Sequence, residues 1–150
     1  MSVPLSDTGE ITGRLNAALA GLAEFRTAGR PGWTREVFSE SYRESRQWVA
    51  GQMKAAGLEV HRDAAGNLVG RLAGRNPAAK PLVTGSHTDT VDGGGRFDGV
   101  VGVLGALEAV QLLRESGAAL ERDLLVVDFL GEESNPFGLS CLGSRALAGS

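Results

Sequence analysis

The chain has 150 residues, is 42% hydrophobic and 22% charged, and carries a net charge of −3. That balance supports one folded globular domain and excludes disorder as the default state. No lysine- or arginine-rich block is present, so neither nucleic acid nor an anionic membrane is an expected partner.

No apolar run approaches the roughly 20 residues of a membrane span. Met1 to Glu10 shows neither a basic n-region nor an apolar h-region, and the single cysteine, Cys141, cannot form an internal disulfide. Both features lead to the expectation of a soluble, cytoplasmic protein.

In chain order, Ile11, Leu15, Ala18, Leu19, Leu22 and Phe25 recur at helical spacing and predict a helix from Asp7 to Thr27. The stretch from Ala28 to Gly32 breaks it. Thr34 suits the N-cap of a second helix with Phe38, Tyr42, Val49, Met53 and Ala56 on one face, closed by Gly57. Leu58–Arg62 and Asn67–Leu72 read as strands of a hairpin joined by Asp63-Ala64-Ala65-Gly66. Leu82–Ser86 has few polar residues and is expected as a central, doubly covered strand. A helix follows from Gly99 to Ser116, in which Gly99, Gly102, Gly105, Ala106 and Ala109 form a small-residue face able to approach a sheet closely. Leu124–Leu130 is a second buried strand, and a last helix begins near Leu139 and runs toward Ser150. This order predicts an α/β fold, a mixed sheet with helices on both faces.

Ligands in open α/β sheets gather at the carboxyl ends of strands. His87 follows one expected strand, Glu132 and Glu133 follow another, and Asp98 opens the intervening helix. His87 and Asp89 lie two residues apart, so in extended backbone they share a face. A carboxylate there can hold one ring nitrogen while the other binds a metal. Asp98 could offer its oxygens to two cations. Adjacent glutamates in extended backbone point apart, so one can hold metal while the other holds water. Crowded without cations, these carboxylates would resist ionisation; divalent metal removes that conflict and acidifies water. Taken alone, each element has an ordinary reading: a His-x-Asp on a strand, a solvated Glu-Glu pair, an N-cap aspartate. Arg96 is a candidate contact for an anionic substrate and otherwise a loop charge. His61 reads as a strand residue, Asp128 as a hydrogen-bonded or solvent-facing strand residue, Cys141 as a small buried hydrophobe, and Trp33 and Trp48 as packing. No Gly-x-Ser-x-Gly elbow or dinucleotide glycine motif is present, and Ser86, His87 and Asp89 are too close in sequence to form a triad.

The segments Gly85-Ser86-His87-Thr88-Asp89-Thr90-Val91, Gly93-Gly94-Gly95-Arg96-Phe97-Asp98-Gly99, Glu132-Glu133 and Cys141-Leu142-Gly143-Ser144-Arg145-Ala146 resemble the metal-dependent amidase/hydantoinase/carbamoylase family. That family includes N-carbamoyl-L-amino acid hydrolases, allantoate amidohydrolases and β-ureidopropionases, and is related to co-catalytic zinc aminopeptidases. The similarity also takes in Thr34-Arg35, Ala56-Gly57-Leu58 and the Asp63–Leu68 turn, so it runs from about Gly32 onward. The resemblance implies a zinc-aminopeptidase-like catalytic domain holding two divalent ions (Zn, Mn or Co). His87 would bind the first, Asp98 would bridge both and Glu133 would bind the second. Glu132 would be the general base and Asp89 would orient His87, with a cis Asp98–Gly99 peptide. It implies hydrolysis of a non-peptide C–N bond in an N-carbamoyl-amino acid, allantoate or related ureido compound through a metal-bound hydroxide. Residues 1–150 correspond to the N-terminal part of such a domain. The expectation is that two further histidine ligands and a lid domain that makes a homodimer lie outside this chain, which alone would be inactive. Ser134-Asn135-Pro136-Phe137-Gly138 replaces the arginine-phenylalanine segment common after the glutamates, which leaves the substrate open. Two alternatives stand beside this reading: a metallo-aminoacylase or peptidase of the same fold, and a non-catalytic assembly module.

Overall fold

In the computed structural model, which describes residues 7–149, Asp7 caps helix α1 (Thr8–Ala23) by accepting the Gly9 N–H. The helix stops short of Thr27 because that residue turns back and its N–H donates to the Thr34 carbonyl at 2.8 Å. Helix α2 (Glu40–Ala55) begins later than the sequence predicts. Ser39, not Thr34, is its N-cap and accepts the Tyr42 N–H. Thr34 is buried, donating to the Pro31 carbonyl at 2.6 Å and accepting the Gly93 N–H at 2.8 Å. Its hydroxyl therefore pins the loop before α2 to the loop that carries Arg96 and Asp98. Phe38 lies outside the helix at φ 66° and is exposed, so it does not share the buried face of Tyr42, Val49 and Met53.

The strands are β1 (Glu59–Arg62), β2 (Leu68–Leu72), β3 (Leu82–His87) and β4 (Leu124–Phe129). They form one mixed sheet in the order β1-β2-β4-β3, with β3 parallel to β4 and the other pairs antiparallel. β4 is the inner strand of this site; β3 is not. Among the described residues nothing pairs with β3's outer side, and Leu82 and Val83 are 49% and 53% exposed. Low polarity marks a strand for burial but does not say which neighbour will supply it, and here cover begins only at Gly85 and is complete at His87.

Register places Leu68, Val126 and Asp128 on one face of the sheet. Leu19 and Leu22 of α1, Val49 and Met53 of α2, and Val103, Leu104, Leu107 and Val110 of helix α3 (Val100–Glu115) pack with Leu68 and Val126 in one core. The helical cover expected on two faces is thus concentrated on one. Helix α4 (Leu142–Ala148) meets the end of β4 through a 2.8 Å bond from the Gly143 N–H to the Leu130 carbonyl; Ser150 lies outside the described residues. The small-residue face of α3 works at its first turns: a Cβ on Gly102 would lie 2.6 Å from the Ser86 Cβ, whereas Gly105 faces open space. This close approach brings the start of α3 against the end of β3.

Candidate metal centre

Because β3 and β4 are parallel, their carboxyl ends emerge together, with His87 paired to Phe129. Asp89, 1% exposed, joins the two chain segments that leave the sheet. Its carboxylate accepts the N–H of Glu132 at 3.2 Å and of Glu133 at 3.1 Å. In an extended strand successive N–H groups point to opposite sides. Two of them reaching one carboxylate require a turn, and Gly131 at φ +53° starts it. The glutamates therefore do not point apart as extended backbone would have them. One ligand atom from each of His87, Glu132 and Glu133 falls within a 4.8 Å cluster. His87 Nε2 is 3.4 Å from a Glu132 carboxylate oxygen. Its Nδ1 lies 3.1 Å from the Asp89 backbone carbonyl and 3.5 Å from the Asp89 carboxylate. Asp89 stands behind His87 as expected, through its carbonyl as well as its side chain.

Beneath the site is a polar network that the sequence reading did not identify. Thr88, fully buried, donates to the Asp128 carboxylate at 3.1 and 3.2 Å. Arg46 donates to the same carboxylate at 2.9 Å, to the Asp128 carbonyl at 3.0 Å and to the Gly66 carbonyl at 2.8 Å. Arg35, 1% exposed, donates to the Thr88 carbonyl at 2.6 Å and the Phe25 carbonyl at 2.9 Å. Burial pushes the Asp128 carboxyl upward, opposed by Arg46 and Thr88, and burial lowers Arg35, opposed by Asp128 and Asp89. Removing one member of such a buried pair typically costs about 3–5 kcal/mol. A signal was present: Ser45 and Arg46 interrupt the buried stripe of α2, and Asp128 interrupts an apolar strand. Of the two roles foreseen for Asp128, the hydrogen bond holds and the solvent face does not.

Asp98 is exposed and stands outside the His87–Glu132–Glu133 cluster, but its charge reaches Glu133. Its neighbour Gly99 backs onto the imidazole, since a Cβ there would lie 2.4 Å from His87 Nε2. The Asp98–Gly99 peptide is trans, against the expected cis bond; Gly99 at φ +65° makes the turn into α3 instead. The Arg96 guanidinium lies over the rings of Trp33 and Phe97 at 5.9 and 5.6 Å, and its Nε is buried without a hydrogen-bond partner. Trp33 thus holds a cation as well as packing, while Trp48 packs with Phe25 in the core. His61 is an exposed strand residue. Cys141 is not an inert buried hydrophobe: it is half-buried, has φ 55°, and touches Glu132.

The charges are in conflict without a cation. Burial lowers the His87 pKa, but Asp89 and then Glu132 outweigh it and raise the group to about 9. Burial raises Glu133, His87 opposes this, and Asp98, Glu132 and Asp89 add to the rise. One imidazole and two converging carboxylates are a donor set that Zn, Mn and Co accept.

The parallel strand ends thus bring one histidine and two glutamates together, the donor types a metal site needs, and the comparisons with known proteins give the family. The chain belongs to peptidase family M28, which it matches over residues 67–150. It is 44% identical over 129 residues to the ureidoglycolate hydrolase of Oryza sativa subsp. japonica, covering 86% of this chain and 27% of that protein. To the N-carbamoyl-L-amino acid amidohydrolase of Geobacillus stearothermophilus it is 43% identical over 136 residues, 91% of this chain and 33% of the relative. The crystal structure of a hydantoinase/carbamoylase family amidase from Burkholderia ambifaria superposes with a TM-score of 0.86 at 38% identity, covering 91% of this chain and 34% of that one. The chain thus spans about a third or less of the length of these relatives. Among the described residues no helix is long and apolar enough to cross a membrane.

Proposed function

We propose that the protein is a metal-dependent amidohydrolase that cleaves a non-peptide C–N bond of an N-carbamoyl-amino acid or related ureido compound. The observation that carries this reading is the convergence of His87, Glu132 and Glu133 on a loop gripped by Asp89. The substrate class rests on similarity to relatives named for hydrolysing ureidoglycolate and N-carbamoyl-L-amino acids. His87, Asp98 and Glu133 would hold two divalent ions, with Asp98 between them and further ligands, a lid and a homodimer contact supplied from outside residues 1–150. Bound divalent ions acidify water and polarise a carbonyl. Glu132, whose Oε2 lies 3.4 Å from His87 Nε2, would take the proton of the attacking water and pass it to the leaving nitrogen as the C–N bond breaks. Asp89 fixes the His87 ring and the glutamate loop together. Arg96, spread over Trp33 with Nε unpaired, is the candidate receptor for a substrate carboxylate.

The test uses the protein expressed from its whole reading frame. Glu132→Gln should retain metal content while turnover of carbamoyl-amino acids falls by about 10²–10⁴, the usual contribution of a general base. Heavy metal loss with unchanged turnover per bound ion would exchange the roles of Glu132 and Glu133. The peptidase family match supports a second reading, an aminoacylase or peptidase. Faster hydrolysis of an N-acyl amino acid than of its N-carbamoyl counterpart would select it.

A further inference from the structure

Among the described residues only two that are not glycine have positive φ, Phe38 and Cys141. Left-handed backbone costs a residue with a Cβ about 1–2 kcal/mol, and such strain gathers at functional sites. At Cys141 it opens α4, yet the side chain makes no capping bond to the helix. The thiol turns the other way, onto the glutamate loop. Cys141 Sγ lies 3.7 Å from the Glu132 carbonyl and 3.7 Å from its Oε1. Three consecutive N–H groups hold the two segments side by side: Cys141 to the Glu132 carbonyl at 2.9 Å, Leu142 to Gly131 at 3.0 Å and Gly143 to Leu130 at 2.8 Å. The Glu132 carboxylate is therefore shared, with Oε2 3.4 Å from His87 Nε2 and Oε1 on the thiol. A carboxylate only accepts and a thiol is a weak donor, so the contact is S–H···O.

We infer that Cys141 is a positioning residue for Glu132, its thiol holding Oε1 so that Oε2 stays turned toward the reaction centre. This rests on the reading of Glu132 as general base. The backbone bonds place the glutamate loop, but they leave the carboxylate free to rotate about its own side-chain bonds. The thiol is the contact on the oxygen other than the one nearest His87, and so limits that rotation.

Cys141→Gly separates the thiol from the backbone, because glycine adopts the positive φ without strain and keeps the α4 turn. In the protein expressed from its whole reading frame, kcat for a carbamoyl-amino acid should fall about two- to fivefold with KM and metal content unchanged, the size of effect a weak S–H···O contact supports. Cys141→Ser, which restores a donor, should recover at least half of that loss. A purely structural cysteine would instead move metal content or thermal stability, and serine would not rescue kcat. Wild-type kcat in the glycine variant overturns the inference. Absence of ureido hydrolysis by the unmodified protein would reject the functional reading, and the contact is then decided by a measurement that needs no turnover. The infrared S–H stretch of Cys141, identified as the band lost in Cys141→Gly, should move to higher frequency in Glu132→Ala, because an S–H that donates to a carboxylate oxygen is weakened by that contact. An unchanged S–H frequency shows that thiol and carboxylate do not interact and overturns the assignment.

Discussion

Asp89→Asn should loosen the candidate metal centre, because Asp89 grips the loop that carries Glu132 and Glu133. The carboxylate accepts two adjacent N–H groups, from Glu132 and Glu133, and is 1% exposed. Asparagine keeps one acceptor oxygen and turns an NH₂ toward the other N–H. One charge-assisted bond is lost and two donors face each other in a buried place. A hydrogen bond to a charged group contributes roughly 1.5–3 kcal/mol, so the metal-free protein should lose about 2–3 kcal/mol of stability. The same loop must be ordered before Glu133 can bind. Loss of an outer partner of a metal ligand typically lowers affinity 10–100-fold, about 1.4–2.7 kcal/mol, which matches the stability estimate in size. Urea unfolding of the chelator-treated protein and calorimetric zinc titration measure the two quantities separately. An asparagine variant with unchanged urea midpoint and unchanged zinc affinity would refute the claim that Asp89 ties the two strand ends together.

Two further outcomes follow from the same geometry. Gly99→Ala places a methyl 2.4 Å from His87 Nε2 at a backbone φ of +65°, so zinc affinity should fall at least tenfold; wild-type affinity would show that α3 does not set the position of the imidazole. In the metal-free protein His87 is raised to about 9 from an ordinary 6.5, so its contribution to stability is fully present below about pH 6.5 and is lost as pH rises through about 9. A divalent ion must displace that proton, so affinity should climb with pH up to about 9, and calorimetry in buffers of different ionisation enthalpy should detect about one proton released per His87-bound ion at pH 7; no release would contradict it.

The elements were legible where local chemistry decides them. The periodic apolar residues from Ile11 to Leu22 mark α1, and Gly57, Gly117 and the turn at Gly66 end or join elements close to the expected positions. The convergence of His87 with Glu132 and Glu133 was legible because each follows an apolar strand run. What sequence did not disclose depends on partners distant in the chain. Thr34 has the composition of an N-cap, but Gly93, 59 residues away, claims its hydroxyl. Leu82 and Val83 are as apolar as β4, but the sheet order leaves them at an edge. Glu132 and Glu133 depart from the alternation of a strand because their two N–H groups bend toward Asp89, a tertiary contact that overrides it.

That bend also accounts for the electrostatic character of the site. A loop in which both glutamates faced opposite ways would relieve their repulsion but leave no shared cavity for a cation. Asp89 draws both N–H groups to one side and so commits both side chains to His87, at the cost of placing His87 among acids. In the metal-free protein a proton on His87 compensates part of that charge, which is why burial fails to keep the imidazole neutral. A proton brings one positive charge and occupies the nitrogen lone pair; a divalent ion brings two and uses that lone pair. The arrangement that raises His87 therefore favours the ion over the proton once the ion is available. Thr88, Asp128, Arg46 and Arg35 hold the β3 end from below, so on the proposed reading the repulsion would be met by binding a cation rather than by opening the loop.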